Sequence, residues 1–146
     1  MKTIFYWSPC LSKVGTVKST INSAISLSKY SREKYKVKII NACGEWDEYS
    51  EVLKKNNIDL IEFKFKFFSY LPKNGFLKSR ISYLIIILFS FFPLLWVLKK
   101  DKPDFFIMHL LTSLPIILNN FFDFQTKFIL RISGFPKLNI WRKFLW

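Results

Sequence analysis

A chain of 146 residues supports one domain with one core, and a hydrophobic content of 51% excludes disorder. The formal charge of +13 says nothing of fold but narrows the partners to anionic lipid surfaces, phosphorylated substrates and nucleic acid. Two cysteines without a C-x-x-C pair, and a single histidine, give no cluster of the kind a structural metal needs.

The first 30 residues read as a strand at 3–7, a turn over 8–15 and a helix over 15–30, with Val17, Ile21, Ala24, Ile25 and Leu27 on or near one face. The N-terminus carries one early lysine and no long apolar stretch, so a strand is expected there and not a signal peptide. A second strand follows at 35–41. Cys43, Gly44, Glu45 and Trp46 form a loop, and Asp47 is expected to cap a short helix that runs to residue 55. The two thiols, Cys10 and Cys43, each come just after a strand, and nothing in the spacing requires them to pair. The third strand is expected at 58–65.

A basic aromatic loop comes next, FKFKFFSYLPKNGF, with a turn signal at Asn74 and Gly75. Lys64 and Lys66 alternate with aromatics there, which fits a strand end with one solvated face. That alternation leaves the further aromatics unexplained, so Lys64, Phe65, Lys66, Phe67, Phe68 and Tyr70 are expected to contact lipid headgroups. A long helix is expected over 78–100. Within it, residues 81–98 are 18 uncharged positions flanked by Lys78, Arg80, Lys99 and Lys100. Such a stretch is at the lower limit for a membrane span. The competing reading is a helix buried between the sheet and a neighbour or the bilayer surface. Ser82, Tyr83 and Ser90 dilute the stretch, Pro93 would kink a span, and a span would divide the sheet between two sides of a membrane. The chain closes with a strand at 104–109, a helix at 113–120, a strand at 126–131, and a Ser-Gly-Phe-Pro loop leading into another helix.

Strands alternating with helices imply right-handed βαβ crossovers. The expected fold is α/β: a three-layer, Rossmann-like, doubly wound parallel sheet of about five strands in the order 3-2-1-4-5. The order reverses between strands one and four, so the loops at 8–15 and 109–113 face one crevice. Candidate ligand groups gather there. Gly15 at the strand–helix turn permits positive φ and close approach of a ligand, and Thr16, Lys18 and Ser19 add hydrogen-bonding groups at the helix start. Neither G-x-G-x-x-G nor a P-loop is present. His109 ends a strand at the reversal, either facing the crevice or satisfied by backbone. Glu45 and Asp47 sit at the same sheet edge, as ribose ligands, as solvated loop charges or as a helix cap. Ser133 and Gly134 follow strand five, and Arg131 either meets a phosphate or pairs with Asp123.

The pieces FYWSPCLSKVGTVKSTINSAISLSK, YKVKIINACGEWDEY, LKKDKPDFFIMHLLTSLPIIL and KFILRISGFPKLNIWRKFLW, in that order, resemble the N-terminal domain of family 4 glycosyltransferases, enzymes of GT-B fold. The resemblance covers nearly the whole chain and makes residues 1–146 one acceptor-side domain. It implies transfer of a sugar, with retention, from a nucleotide-sugar donor to a polysaccharide or lipid-linked acceptor. No metal or other cofactor is expected, because a lone histidine without a cysteine or carboxylate cluster makes no metal site. Gly15 would lie near the donor phosphates, His109 would touch the transferred sugar, and Ser133 and Gly134 would form the small-residue loop. The chain has one glycine where many members have two adjacent. The family's C-terminal nucleotide-sugar domain, with its basic residues and paired glutamates, does not follow. A separate donor-domain chain is therefore expected as a partner, and little activity is expected without one. Location is expected in the cytoplasm, peripheral to the inner membrane. The alternative is a non-enzymatic membrane-anchored protein with a span at 81–98. A nucleic-acid partner is not expected, because no recognised motif or clustered basic helix is present.

Overall fold

The computed structural model describes residues 1–11, 15–31, 34–63, 65–73 and 76–132; the side chains of Lys66, Ser69 and Phe76 are outside that description. The elements run β1 (Lys2–Trp7), α1 (Gly15–Tyr30), β2 (Tyr35–Asn41), α2 (Ser50–Lys55), β3 (Asp59–Glu62), α3 (Phe76–Asp101), β4 (Phe105–Met108), α4 (Ser113–Phe121) and β5 (Lys127–Leu130). The five strands form one sheet in the order β3-β2-β1-β4-β5, and every pair is parallel. This is the doubly wound α/β arrangement expected from the alternation of elements.

Alternation along β1 builds both layers of the core. Phe5 and Trp7 face one side, where they pack with Leu94, Val97 and Leu98 of α3 and Leu114 and Leu118 of α4. Ile4 and Tyr6 face the other, with Val17, Ile21 and Ala24 of α1 and Leu53 of α2. A central parallel strand covered on both faces is apolar at nearly every position, and KTIFYW obeys that rule.

Three local expectations are corrected. The third strand is shorter than 58–65, because it lies at the sheet edge and pairs only with β2, through four residues. The segment after it is not an open loop: Lys66–Tyr70 form a 3-10 turn. Phe68 in that turn is fully buried against Phe65 and Phe89, with centroids 5.3 and 6.3 Å away. It is therefore a core residue and not a lipid contact, whereas Phe67 and Tyr70 are exposed. Asp47 does not cap a helix. It opens a 3-10 turn, and its carboxylate accepts a hydrogen bond from Asn41 Nδ2 at 2.6 Å. Lys64 and the Asn74–Gly75 turn lie outside the described residues.

By length and composition α3 is able to cross a membrane, with a mean hydropathy of 2.5 over its most apolar window. Its place in the chain speaks against a span. It connects β3 to β4, and β4 is hydrogen-bonded to β1 from Ile4↔Phe105 to Trp7↔Met108. A bilayer crossed by α3 would have to part those two strands.

Candidate functional site

Parallel strands end together, so the loops after β1, β4 and β5 meet at the carboxyl edge of the sheet. The register fixes this directly: the His109 amide donates to the Trp7 carbonyl at 3.0 Å, and the Arg131 amide to the Met108 carbonyl at 2.8 Å. Ser8, His109 and Arg131 are thus the first residues beyond or just past three neighbouring strands. The helix that opens at Gly15 returns over the same edge. Its Ser19 accepts from Arg131 through both Oγ, at 2.5 Å, and the backbone carbonyl, at 3.3 Å.

His109 is the centre of this arrangement. Only 9% of its surface is exposed, and neither ring nitrogen has a hydrogen-bond partner among the described residues. Buried polar groups are nearly always paired, so an imidazole with two unpaired nitrogens at a strand end is placed to meet a ligand. Burial pushes its pKa below the ordinary 6.5, and the positive charge of Arg131 pushes it further in the same direction. At neutral pH the ring is therefore neutral, with one nitrogen donating and the other accepting. Two hydroxyls nearby in the chain's path share the condition: Ser8 Oγ, one residue past β1, and Thr20 Oγ1, in the second turn of α1, are buried without partners.

The loop that carries His109 is held in a strained form. Leu111 has φ of +46°, a conformation rare for a bulky side chain, and its carbonyl accepts from the Trp7 indole nitrogen at 3.1 Å. Such residues persist where surrounding structure over-determines them, and they cluster at ligand sites. Below Arg131, Tyr6 Oη and Ser23 Oγ share a hydrogen bond of 2.9 Å. Burial raises the Tyr6 pKa, against the lowering effects of Ser23 and of Arg131.

Gly15 corrects part of its expectation. It is the first residue of α1 and does not have positive φ; among the described glycines only Gly44 does, at +80°. Among the described residues, no atom beyond its chain neighbours and its own helix backbone lies within 4 Å of where a Cβ on Gly15 would stand, so the position is open. Thr16 is half-buried and Lys18 exposed. Ser133 and Gly134 lie outside the described residues. Arg131 is bonded to Ser19 and not to Asp123, the alternative to a phosphate that the sequence offered.

Glu45 is neither a solvated loop charge nor a cap. Its carboxylate turns back onto the Cys43 amide at 2.6 Å and the Ala42 amide at 3.4 Å. Burial pushes its pKa up to about 8 despite those hydrogen bonds, and Asp47 adds to the rise. The two cysteines are free thiols near this group. Burial and the Glu45 charge raise Cys10 to about 12 and raise Cys43 as well. Neither thiol is activated as a nucleophile. No set of three or more His, Cys, Asp and Glu side chains among the described residues is arranged to hold a metal ion.

The sequence pointed to His109, Arg131 and Ser19, and the fold brings these three together. It missed Ser8, Thr20 and Leu111. Ser8 carried a legible signal, being the polar residue directly after an apolar central strand. Thr20 and Leu111 carried none, since burial and φ depend on how α1 and the loop are seated.

No model of a known protein family matches this chain, and no curated protein matches it. Among solved structures it is similar to CalG4, the calicheamicin glycosyltransferase, with a TM-score of 0.59 and 13% sequence identity. The match covers 98% of this chain and 36% of that one. At that identity the likeness is one of fold: this chain has the α/β architecture of part of a glycosyltransferase.

Proposed function

We propose that the chain forms the acceptor-side half of a retaining glycosyltransferase of the family 4 type. It would move a sugar from a nucleotide-sugar donor to a polysaccharide or lipid-linked acceptor. The observation that carries this reading is His109: nine-tenths buried, unpartnered at both nitrogens, and set at the β1/β4 reversal. A neutral imidazole that both donates and accepts suits a sugar hydroxyl. The Arg131 charge beside it suits a phosphate, and the open backbone at Gly15 leaves room for one at the start of α1. Ser8, one residue past β1, adds a buried hydroxyl with no partner among the described residues. The likeness to part of a glycosyltransferase supports the same reading.

In this reading the 146 residues supply one wall of a two-domain cleft. The opposite wall holds the nucleotide and stabilises the leaving diphosphate, a large electrostatic contribution to such reactions. Little transfer is expected from these 146 residues without it. The test is transfer of radiolabelled sugar from UDP- and GDP-sugars to extracted bacterial lipids, by the chain alone and mixed with a donor-domain chain. Transfer is expected only in the mixture, and His109→Ala should reduce it about tenfold or more, the value of a buried hydrogen bond. Rapid turnover by the chain alone would overturn the half-enzyme reading. No transfer in any mixture, with the His109 imidazole resonances unmoved by every sugar donor and glycolipid, would overturn glycosyl transfer itself.

A further inference from the structure

Helix α3 is inside out for a surface helix. The residues it buries with no exposure include two serines, Ser82 and Ser90, along with Ile86, Leu94 and Leu98. Those it turns to solvent include Leu84 at 58%, Leu88 at 69%, Phe92 at 75% and Trp96 at 60%. Ser82 Oγ is satisfied by the Lys78 and Pro72 carbonyls, at 3.0 and 2.8 Å. The outer side is a continuous apolar stripe at spacings of three and four from Leu77 to Trp96, roughly 30 Å long at 1.5 Å per residue. Most exposed large apolar residues lie on α3, on α4, or in the turn leading into α3. Across the sheet, α1 and α2 present Lys18, Asn22, Glu51 and Lys54 instead. A contiguous apolar face this long marks a contact surface.

We infer that this face docks, side-on, to an anionic lipid bilayer. Charge selects that occupant. Lys78 and Arg80 stand at one end of the stripe and Lys99 and Lys100 at the other. The one acid of the helix, Asp101, is engaged by Lys38 at 3.2 Å. The ammonium groups of Lys99 and Lys100 lie over the rings of Phe122 and Trp96, 4.4 and 4.3 Å from the centroids. That is the arrangement of basic and aromatic side chains at a lipid–water boundary. Beyond Lys99 the stripe ends at a cavity of about 420 Å³, lined in part by Lys102, Phe121, Phe124 and Asp123. A second copy of the chain suits the face less well. A two-fold pairing of antiparallel helices would set Lys78 and Arg80 against the partner's Lys99 and the partner's Lys100, whereas phosphate headgroups neutralise both ends. The helix lies in the interface plane because its inner side is held by the sheet. Docking of this face does not depend on what the crevice binds.

The experiment is flotation of the full 146-residue chain with two kinds of vesicle, equal parts phosphatidylglycerol and phosphatidylcholine, and phosphatidylcholine alone. The chain is expected to float with the anionic vesicles, and less as salt is added. Leu88→Asp with Phe92→Asp should reduce the bound fraction about tenfold or more while the circular dichroism spectrum is unchanged. Lys99→Glu with Lys100→Glu should remove the preference for anionic vesicles, at about fivefold per charge. Should the aspartate pair fail to fold, Trp96 reports instead: brominated acyl chains should quench the native chain and quench Trp96→Phe distinctly less. No flotation at low salt, or flotation that the aspartate pair leaves intact, overturns the inference. So does a native dimer that the aspartate pair converts to monomer with neither form floating, which would assign the face to a second copy. Retention in carbonate-washed membranes overturns it in favour of a span.

Discussion

The guanidinium of Arg131 donates to Ser19 Oγ and to the Ser19 carbonyl, bonding two residues 112 positions apart. This clasp ties the end of β5 to the early turns of α1, at the carboxyl edge of the sheet. The same cation stands near His109 and helps keep that ring neutral. One side chain thus shapes the crevice and adds to the effect of burial on its imidazole.

Replacing Arg131 with Met should separate those two roles. Loss of the clasp is expected to cost about 1–2 kcal/mol in urea unfolding, the value of charge-assisted hydrogen bonds at a partly exposed site. The His109 pKa should rise, because a repelling charge is gone, yet stay under 6.5, because burial is the larger cause of its depression and remains. The chain has one histidine, so an NMR pH titration reads the change without assignment. A pKa that does not move would place Arg131 outside the reach of the ring.

His109 and Glu45 predict opposite pH slopes in stability. The His109 pKa is depressed in the folded chain, so its contribution is present above 6.5 and is lost as pH falls through the folded value. The Glu45 pKa is raised to about 8 from 4.5, so its contribution is present below 4.5 and is lost as pH rises through about 8. Thermal midpoints measured across this range should fall at the alkaline side in the native chain and flatten in Glu45→Gln, whose amide oxygen still accepts from Cys43. His109→Gln should flatten the acid side. A native alkaline slope that Glu45→Gln leaves unchanged would mean the carboxyl is ionised at neutral pH.

Two glycines should respond in opposite directions to alanine. Gly15→Ala has helical backbone and open space, and should stabilise the fold by about 0.5–1 kcal/mol. Any accompanying loss of ligand binding would then be a contact effect at the crevice. Gly44→Ala meets φ of +80° and Asp47 Oδ2 at 3.0 Å from the new Cβ. It should destabilise by about 1–2 kcal/mol in urea unfolding.

The two sides of α3 can be told apart by truncation. Leu94→Ala removes a fully buried side chain from the layer that holds Trp7 and Phe106, and should cost about 2–5 kcal/mol in urea unfolding. Leu88→Ala, on the exposed stripe, should change stability by less than about 0.5 kcal/mol in solution. Equal costs would mean that the helix is rotated about its axis.

By itself the sequence determined the alternation of elements, the parallel sheet, its strand order and the placing of His109 and the start of α1 at one edge. Those follow from local patterns: apolar runs of strand length, helices between them, and the handedness of crossovers. The orientation of α3 was not legible. Its apolar residues go all the way round, so periodicity gives no direction, and the serines that dilute the apolar stretch are fully buried. Phe68 was misread for a related reason, since an aromatic looks the same in sequence whether it covers the surface or plugs the core. The partners of Glu45, the strain at Leu111 and the burial of Thr20 were likewise decided only by tertiary structure. Burial, φ and desolvation belong to contacts between segments far apart in the chain, and no local pattern encodes them.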